Sequence, residues 1–133
     1  MADVSRDDVQ AWLDGYVSAW RSYDPAEIGA LFAEDAEYRY HPWDEPVRGR
    51  EAIVRAWVEP QGAHSGRDEP GTYDARYEPY AVDGERAVAV GSTEYLGPDG
   101  SVAQRFHNIF LLSFDPSGRC TSFTEWFMLE PGP

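Results

Sequence analysis

The N-terminal segment carries apolar residues at the three- and four-residue spacing of an amphipathic α-helix. Ser5 followed by Asp8 resembles a capping box, and acidic residues occupy the first turn. The pattern predicts a helix that begins near Ser5 and ends near Ser22. Its buried face consists of Val9, Trp12, Leu13, Tyr16, Val17 and Trp20.

A second, shorter helix is predicted directly after the first. Asp24 can cap this helix, and Pro25 suits its first position because that position needs no N–H donor. Residues 36–40 then alternate as in a strand, which Pro42 and Pro46 end. The apolar face expected for the second helix consists of Ile28, Leu31 and Phe32.

A third helix and an antiparallel meander complete the predicted order of elements. Residues 48–51 open the helix, and its apolar side contains Ile53 and Trp57. Residues 59–71 are rich in glycine, proline and charge, which is typical of a mobile loop beside a pocket. Turn signals such as Asp83-Gly84 then separate four strands, predicted at residues 72–82, 86–96, 102–114 and 119–129.

Helices followed by a meander predict a single α+β domain over residues 1–133. We expect a cone-shaped barrel in which N-terminal helices pack on a curved, mainly antiparallel sheet and enclose one pocket. Helices on one face of the sheet leave the other face uncovered. The sequence therefore also predicts a homodimer that forms through the open sheet face.

Charge and composition exclude several classes of function. The chain has 24 acidic and 11 basic residues and a net charge of −13, which argues against binding to nucleic acid or an anionic membrane. Cys120 is the single cysteine, and the three histidines lack the spacing of a metal site. Because no phosphate-binding or dinucleotide motif is present either, we predict neither a cofactor nor a metal. The expected location is cytoplasmic, since no signal-like segment is visible.

Three motifs, together with the two N-terminal helices, resemble those of a known superfamily. They are LFAEDAEYRYHP at residues 31–42, the Pro-x-x-Gly-x-x-Ala-Ile pattern of residues 46–53, and FDPSGRCTSFTEWF at residues 114–127. In their order and spacing they resemble the nuclear transport factor 2-like superfamily, in its SnoaL-like branch. The resemblance covers nearly the whole chain and implies the cone fold. It does not select an activity, because this superfamily includes isomerases, cyclases, dehydratases, epoxide hydrolases and binding proteins.

The resemblance to ketosteroid isomerases implies roles for two residues. Tyr16 lies where that family has a tyrosine that donates a hydrogen bond to a substrate oxygen. His41, followed by Pro42, occupies the place of the aspartate that acts as general base. A histidine suits this role because its unperturbed pKa of ~6.5 is close to neutral pH. Phe110 stands where the family has a second, neutral acid, so the chain departs from the isomerase pattern there.

Strand alternation nominates further pocket residues. If Phe110 faces the pocket, Asn108 faces it too, and the matching register of the last strand selects Glu125. A carboxyl group in an aromatic cavity is expected to have a raised pKa, which is typical of a functional acid or base. A register shifted by one residue would bring His107 and Trp126 inward instead, and the sequence leaves this choice open.

These observations predict a small-molecule enzyme that transfers protons on a hydrophobic, carbonyl-containing substrate, as an isomerase, dehydratase or cyclase. His41 is the predicted base, and Tyr16 with Asn108 or Glu125 polarises the oxygen or returns the proton. Two alternatives stay open, a non-catalytic binding protein for a small apolar ligand and a dimeric interaction module. The predicted ligand-binding residues are aromatic, namely Trp20, Tyr40, Trp43, Trp57, Phe106, Phe110, Phe123 and Phe127.

Overall fold

The structure, a computed structural model, describes residues 3–59 and 71–132. These residues form three helices and six strands, in the order α1 (Arg6–Ser22), α2 (Pro25–Gly29), β1 (Phe32–Arg39), β2 (Val47–Arg48), α3 (Arg50–Val58), β3 (Tyr73–Asp83), β4 (Arg86–Leu96), β5 (Val102–Phe114) and β6 (Cys120–Leu129). This order confirms the predicted α+β class. Most of the loop predicted at residues 59–71, including His64, lies outside the described residues.

Helix α1 begins at a capping box, as its sequence predicts. The Ser5 side chain accepts a hydrogen bond from the Asp8 backbone, and the Asp8 carboxylate accepts one from the Ser5 backbone, both at 3.0 Å. The helix ends at Tyr23, which adopts a left-handed conformation with φ of 51°. The indole N–H of Trp12 donates to the Leu31 carbonyl at 2.9 Å and thereby ties the buried face of α1 to the start of β1.

The boundary between α2 and β1 differs from the expectation. Helix α2 has five residues and ends at Gly29, so Leu31 and Phe32 do not belong to its apolar face. Phe32 instead begins β1, where it pairs with Cys120 of β6, and the Cys120 N–H donates to the Leu31 carbonyl at 2.8 Å. Pairing with a distant strand therefore starts β1 four residues before the alternating pattern begins.

The six strands form one sheet in the order β2-β1-β6-β5-β4-β3. Strands β1 and β6 pair in parallel, and the remaining neighbours among the described strands pair antiparallel. Strand β2, which the sequence did not predict, pairs with β1 and leads directly into α3. Helix α1 packs on β3, and α3 packs on β1, so the helices share one face of an open sheet.

The two faces of the sheet differ in what covers them. On the helix-covered face, Phe110 and Phe123 are fully buried in the hydrophobic core. On the opposite face, Ile109 of β5 pairs with Trp126 of β6, and their side chains are 44% and 39% exposed. Leu111 and Met128 lie on the same exposed face, which therefore carries an apolar stripe without a helix over it.

Candidate functional site

A cavity of about 280 Å³ lies between the helices and the covered face of the sheet. Glu125 is the carboxylate in its lining, and the described lining includes no lysine, arginine or histidine. The walls are therefore mainly aromatic and uncharged. The lining residues are Tyr16, Trp20, Tyr23, Tyr38, Tyr40, Ala56, Trp57, Tyr77, Thr93, Tyr95, Phe106, Asn108, Glu125 and Phe127.

Glu125 projects from β6 into this cavity and has one strong hydrogen bond. The Asn108 side-chain amide of β5 donates to Glu125 Oε2 at 2.8 Å. Removal from water raises the pKa of the Glu125 carboxyl to about 7, against the smaller opposing effects of the Asn108 hydrogen bond and the nearby His41 ring. At neutral pH this group therefore populates both its charged and its neutral form, as a general acid–base group requires.

Asn108 is itself held by a chain of buried hydroxyl groups. Thr93 of β4 donates from Oγ1 to Asn108 Oδ1 at 3.1 Å. The Tyr77 hydroxyl of β3 lies 2.6 Å from the same Thr93 oxygen. Because the Thr93 proton is directed at Asn108, Tyr77 is the donor in this contact. Four neighbouring strands of the sheet thus contribute one residue each to a hydrogen-bonded row that ends at Glu125.

Tyrosine hydroxyls provide further donors at the cavity. The hydroxyl oxygens of Tyr16 and Tyr38 are 3.5 Å apart, which is long for two hydroxyl groups, so both can turn to a ligand oxygen. Burial, with a smaller effect from nearby Glu125, holds the pKa of both phenols well above the usual range. The same causes raise the pKa of Tyr40 to about 12. These phenols therefore stay protonated at neutral pH and act as donors.

A glycine on β4 makes room for the row of polar groups. Gly91 pairs with Tyr77 on one side and with Asn108 on the other. A Cβ atom at position 91 would lie 2.0 Å from the Arg76 carbonyl oxygen and 2.4 Å from the Tyr77 ring. The absent side chain therefore allows β3 to approach closely and Tyr77 to reach Thr93.

His41 and Trp43 lie outside the lining of the cavity. The His41 ring follows β1, stacks on Trp43 at a centroid distance of 4.9 Å and lies 5.3 Å from the Phe127 ring. Its Nδ1 is 2.9 Å from Asp44 Oδ2, and the Asp44 carboxylate also accepts the His41 backbone N–H. Trp43 is 79% exposed, because the turn that follows β1 points it towards solvent. The structure thus places His41 at the rim, beside Glu125, with its ring oriented by Asp44.

Phe110 and Phe123, expected to bind ligand, lie in the layer behind the cavity wall. Their rings are 4.8 Å apart and are covered by tyrosines, since Tyr16 stacks on Phe123 and Tyr77 packs on Phe110. They therefore support the lining without belonging to it. Of the other predicted positions, the lining includes Tyr16, Trp20, Tyr40, Trp57, Phe106, Asn108, Glu125 and Phe127.

The register of β5 and β6 decides whether Asn108 and Glu125 or His107 and Trp126 face the cavity, a choice that the sequence left open. Asn108 is 6% exposed and faces the cavity, whereas His107 pairs with Met128 on the opposite, exposed face.

Sequence reasoning missed six lining residues. Strand alternation from Tyr40 could have identified Tyr38, but the others required knowledge of strand pairing or of helix packing. The missed residues are Tyr23, Tyr38, Ala56, Tyr77, Thr93 and Tyr95.

Two further kinds of site can be compared with the structure. Within residues 3–59 and 71–132, no group of three or more His, Cys, Asp or Glu side chains is arranged to hold a metal ion. Burial raises the pKa of the Cys120 thiol to about 12, so this thiol stays protonated at neutral pH and is a poor nucleophile.

None of the helices in the described ranges combines the length and apolar character needed to cross a membrane.

Comparison with known proteins agrees with this architecture. A solved structure from Kribbella flavida, whose assignment as a ketosteroid isomerase is provisional, aligns with a TM-score of 0.64 and 20% identity, over 96% of this chain and 84% of that one. An NTF-2-like protein of unknown function from Burkholderia xenovorans aligns with a TM-score of 0.66 and 16% identity, over 96% and 87% of the two chains. No curated protein sequence matches the chain. The family model described as the SnoaL-like domain matches residues 9–123, and the chain therefore belongs to the SnoaL-like family of the nuclear transport factor 2-like superfamily.

Proposed function

We propose that this protein catalyses proton transfer on a small, hydrophobic carbonyl compound, with Glu125 as the general base and Tyr16 as a hydrogen-bond donor to the carbonyl oxygen. The observation that carries this proposal is the convergence of a carboxyl group and tyrosine hydroxyls on one aromatic cavity. A pocket with apolar walls and a few converging polar groups is the usual form of a small-molecule site.

The proposed reaction needs only these two groups. The Glu125 carboxylate removes a proton from the carbon next to the carbonyl group, and the C–H electron pair moves towards oxygen to form an enolate. The Tyr16 hydroxyl donates a hydrogen bond to that oxygen. Tyr16 keeps its proton throughout, because the pKa of its phenol is well above neutrality. Glu125, now protonated, returns the proton to the same or another carbon, which completes an exchange or an isomerisation.

Glu125 suits the role of general base better than His41, the residue that the sequence predicted for this role. Glu125 lines the cavity, whereas His41 lies at the rim and uses Nδ1 in its contact with Asp44. A base has to come within hydrogen-bond reach of the proton that it removes. In this proposal His41 acts on the charge of Glu125 from outside the cavity, because a positive charge on the ring lowers the pKa of that carboxyl.

The dimensions and charge of the cavity restrict the substrate. A volume of about 280 Å³ is at the lower limit of ligand pockets, which typically measure ~300–1,000 Å³. The net charge of −13 and the Glu125 carboxyl disfavour anionic compounds. The proposed substrate class is therefore uncharged ketones, aldehydes or enones of low mass.

This proposal can be tested by following hydrogen–deuterium exchange at the carbon next to the carbonyl group, by NMR, for a panel of small ketones and enones. We expect the wild-type protein to accelerate exchange or isomerisation, and Glu125→Gln to lower the rate by about 10²- to 10⁴-fold. His107→Gln, on the opposite face of the sheet, is the matched control and should retain the wild-type rate. Saturable binding with no exchange above that of Glu125→Gln would refute catalysis and favour a binding protein.

We also propose that a second copy of the chain covers the open sheet face. This face combines the apolar stripe of β5 and β6 with neighbouring charges of both signs, such as Arg39, Glu37 and Arg105. A two-fold dimer brings the same surface of each copy together, so one surface has to supply both partners of every ion pair. A face with both signs of charge meets this requirement in spite of the acidic composition.

A further inference from the structure

We propose that Thr93 is a positioning residue, which fixes the side-chain amide of Asn108 and through it holds Glu125 with one carboxylate oxygen bound and the other open to a substrate. The catalytic meaning of this role rests on the proposed function of Glu125. The positioning itself can be measured without any substrate.

The two ends of the Asn108 side-chain amide need different hydrogen-bond partners. The C=O and NH₂ groups have almost the same shape, so packing alone does not select an orientation, and hydrogen-bond partners must do so. Thr93 presents a donor at 3.1 Å from one end, which requires the Asn108 oxygen there. The NH₂ group then points at Glu125 Oε2, 2.8 Å away. In the reverse orientation, the Asn108 oxygen would face the Glu125 carboxylate, and two acceptors would repel each other.

Tyr77 determines the direction in which the Thr93 hydroxyl donates. A threonine hydroxyl can both give and accept, and its proton turns towards an acceptor when a donor occupies its lone pair. The Tyr77 hydroxyl lies 2.6 Å from Thr93 Oγ1. Tyr77, Thr93 and Asn108 are 8%, 3% and 6% exposed, so water has little access to replace these bonds. The row is therefore directional, from Tyr77 through Thr93 and Asn108 to Glu125.

The hydrogen bond from Asn108 occupies one carboxylate oxygen of Glu125 and leaves the other available for chemistry. Oε2 accepts the Asn108 amide, while Oε1 accepts no hydrogen bond from the described part of the chain. Since Glu125 lines the cavity, Oε1 is the oxygen available to a ligand. A carboxylate held by one oxygen keeps the lone pairs of the other in a fixed direction, which is what removal of a proton from carbon requires.

Other groups also act on the charge of Glu125 and have to be held constant in a test. The phenols of three elements face it and stay neutral at the pH of interest, whereas the His41 ring lowers the pKa of Glu125. Of these groups, Tyr77 hydrogen-bonds directly to Thr93, so Thr93→Val also removes the acceptor of the Tyr77 hydroxyl, and Tyr77→Phe has to be measured beside it. These groups are Tyr16 of α1, Tyr38 and Tyr40 of β1, His41 of the following turn, and Tyr77 of β3.

The test is the titration of Glu125 in variants of Thr93. Protein labelled with ¹³C at the glutamate carboxyl carbon is titrated by NMR, and the Glu125 signal is assigned by its loss in Glu125→Gln. Thr93→Val keeps the shape of the side chain and removes the hydroxyl, whereas Thr93→Ser keeps the hydroxyl. Since the Asn108 bond favours the carboxylate, we expect Thr93→Val to raise the titration midpoint by about one pH unit. Thr93→Ser should titrate like the wild type.

Tyr77→Phe provides a second, independent variant, because it removes the first donor and leaves Thr93 intact. We expect it to shift the Glu125 midpoint upwards by less than Thr93→Val. An unchanged midpoint in Thr93→Val, or equal midpoints in Thr93→Val and Thr93→Ser, would overturn the positioning role. Should Thr93→Val not fold, an unchanged midpoint in Tyr77→Phe would overturn it.

The titration test of Thr93 and the turnover test of the proposed function can succeed or fail independently. If the Thr93 variants titrate as expected and no carbonyl compound is turned over, the positioning role stands and the catalytic proposal fails. If Glu125→Gln abolishes turnover while Thr93→Val leaves the Glu125 midpoint unchanged, the catalytic proposal stands and the positioning role fails.

Discussion

Replacing Glu125 with glutamine is expected to stabilise the folded protein above neutral pH and to change little at pH 4. Glutamine has nearly the same shape as glutamate, and its side-chain oxygen can still accept the Asn108 amide. The substitution therefore removes the charge of Glu125 and leaves its packing and its hydrogen bond with Asn108 in place.

The magnitude follows from the two pKa values of the carboxyl group. The pKa of Glu125 is raised from its ordinary value of 4.5 to about 7 in the folded protein, where burial is the main cause. The folded state therefore binds this proton more tightly than the unfolded chain does. The contribution of Glu125 to stability is most favourable below pH 4.5 and is lost as the pH rises towards 7.

One pKa unit corresponds to about 1.36 kcal/mol, so the full shift would destabilise the charged folded protein by about 3 kcal/mol at pH 8. Glu125 is half-buried, and solvent that enters the cavity screens part of this cost. We therefore expect Glu125→Gln to increase the free energy of unfolding by about 1 to 3 kcal/mol at pH 8, and by less than about 0.5 kcal/mol at pH 4.

The assay is urea denaturation at pH 4, 6 and 8, followed by circular dichroism and tryptophan fluorescence. Glu34→Gln removes the same kind of charge from an exposed position on β1 and is the matched control. It should differ from wild type by less than about 0.5 kcal/mol at each pH. If Glu125→Gln differed from wild type by the same amount at pH 4 and pH 8, the carboxyl would not be desolvated, and its role as a base tuned to neutrality would be refuted.

Three further predictions concern other parts of the molecule. Tyr16→Phe should lower the rate of carbonyl-compound exchange by about 10²-fold with little change in KM, measured by the NMR assay; a wild-type rate would remove Tyr16 from the mechanism. Gly91→Ala should lower the free energy of unfolding by about 1 to 3 kcal/mol because its Cβ would lie 2.0 Å from a backbone oxygen, whereas Gly132→Ala, with no atom within 4 Å, should be neutral in the same denaturation experiment. Wild-type protein should be a dimer in size-exclusion chromatography with light scattering, and Ile109→Lys should be a monomer; equal masses would argue against the open face as the interface.

Elements with strong local signals were predicted well from the sequence. The capping box of Ser5 defines the start of α1, and the Asp83-Gly84 turn lies between β3 and β4, as expected. Local signals were not enough at Leu31 and Phe32, where two apolar residues fit a helix and a strand equally well. There, pairing with β6 decides in favour of the strand, and a sequence shows no such pairing.

The candidate site was only partly predictable for the same reason. Strand alternation, counted from Phe110, nominated Asn108 and Glu125, since side chains two residues apart share a face. It left open a register shifted by one residue, which the pairing of β5 with β6 decides. Thr93 and Tyr77 could not be found in this way, because their contact depends on the register of β3 against β4. The base assigned by resemblance, His41, depended on the geometry of a turn, which places its ring at the rim of the cavity.

The distribution of the five tryptophans has a practical consequence for spectroscopy. Trp12 is buried in the core, Trp20 and Trp57 line the cavity, and Trp43 is 79% exposed to solvent. Trp126 lies on the open sheet face. Because indole emission moves to longer wavelength as water reaches the ring, each region contributes a different part of the fluorescence spectrum. The molecule thus carries intrinsic optical reporters for ligand entry and for association of its sheet face, and acrylamide quenching of Trp43 separates their signals from that of solvent-exposed indole.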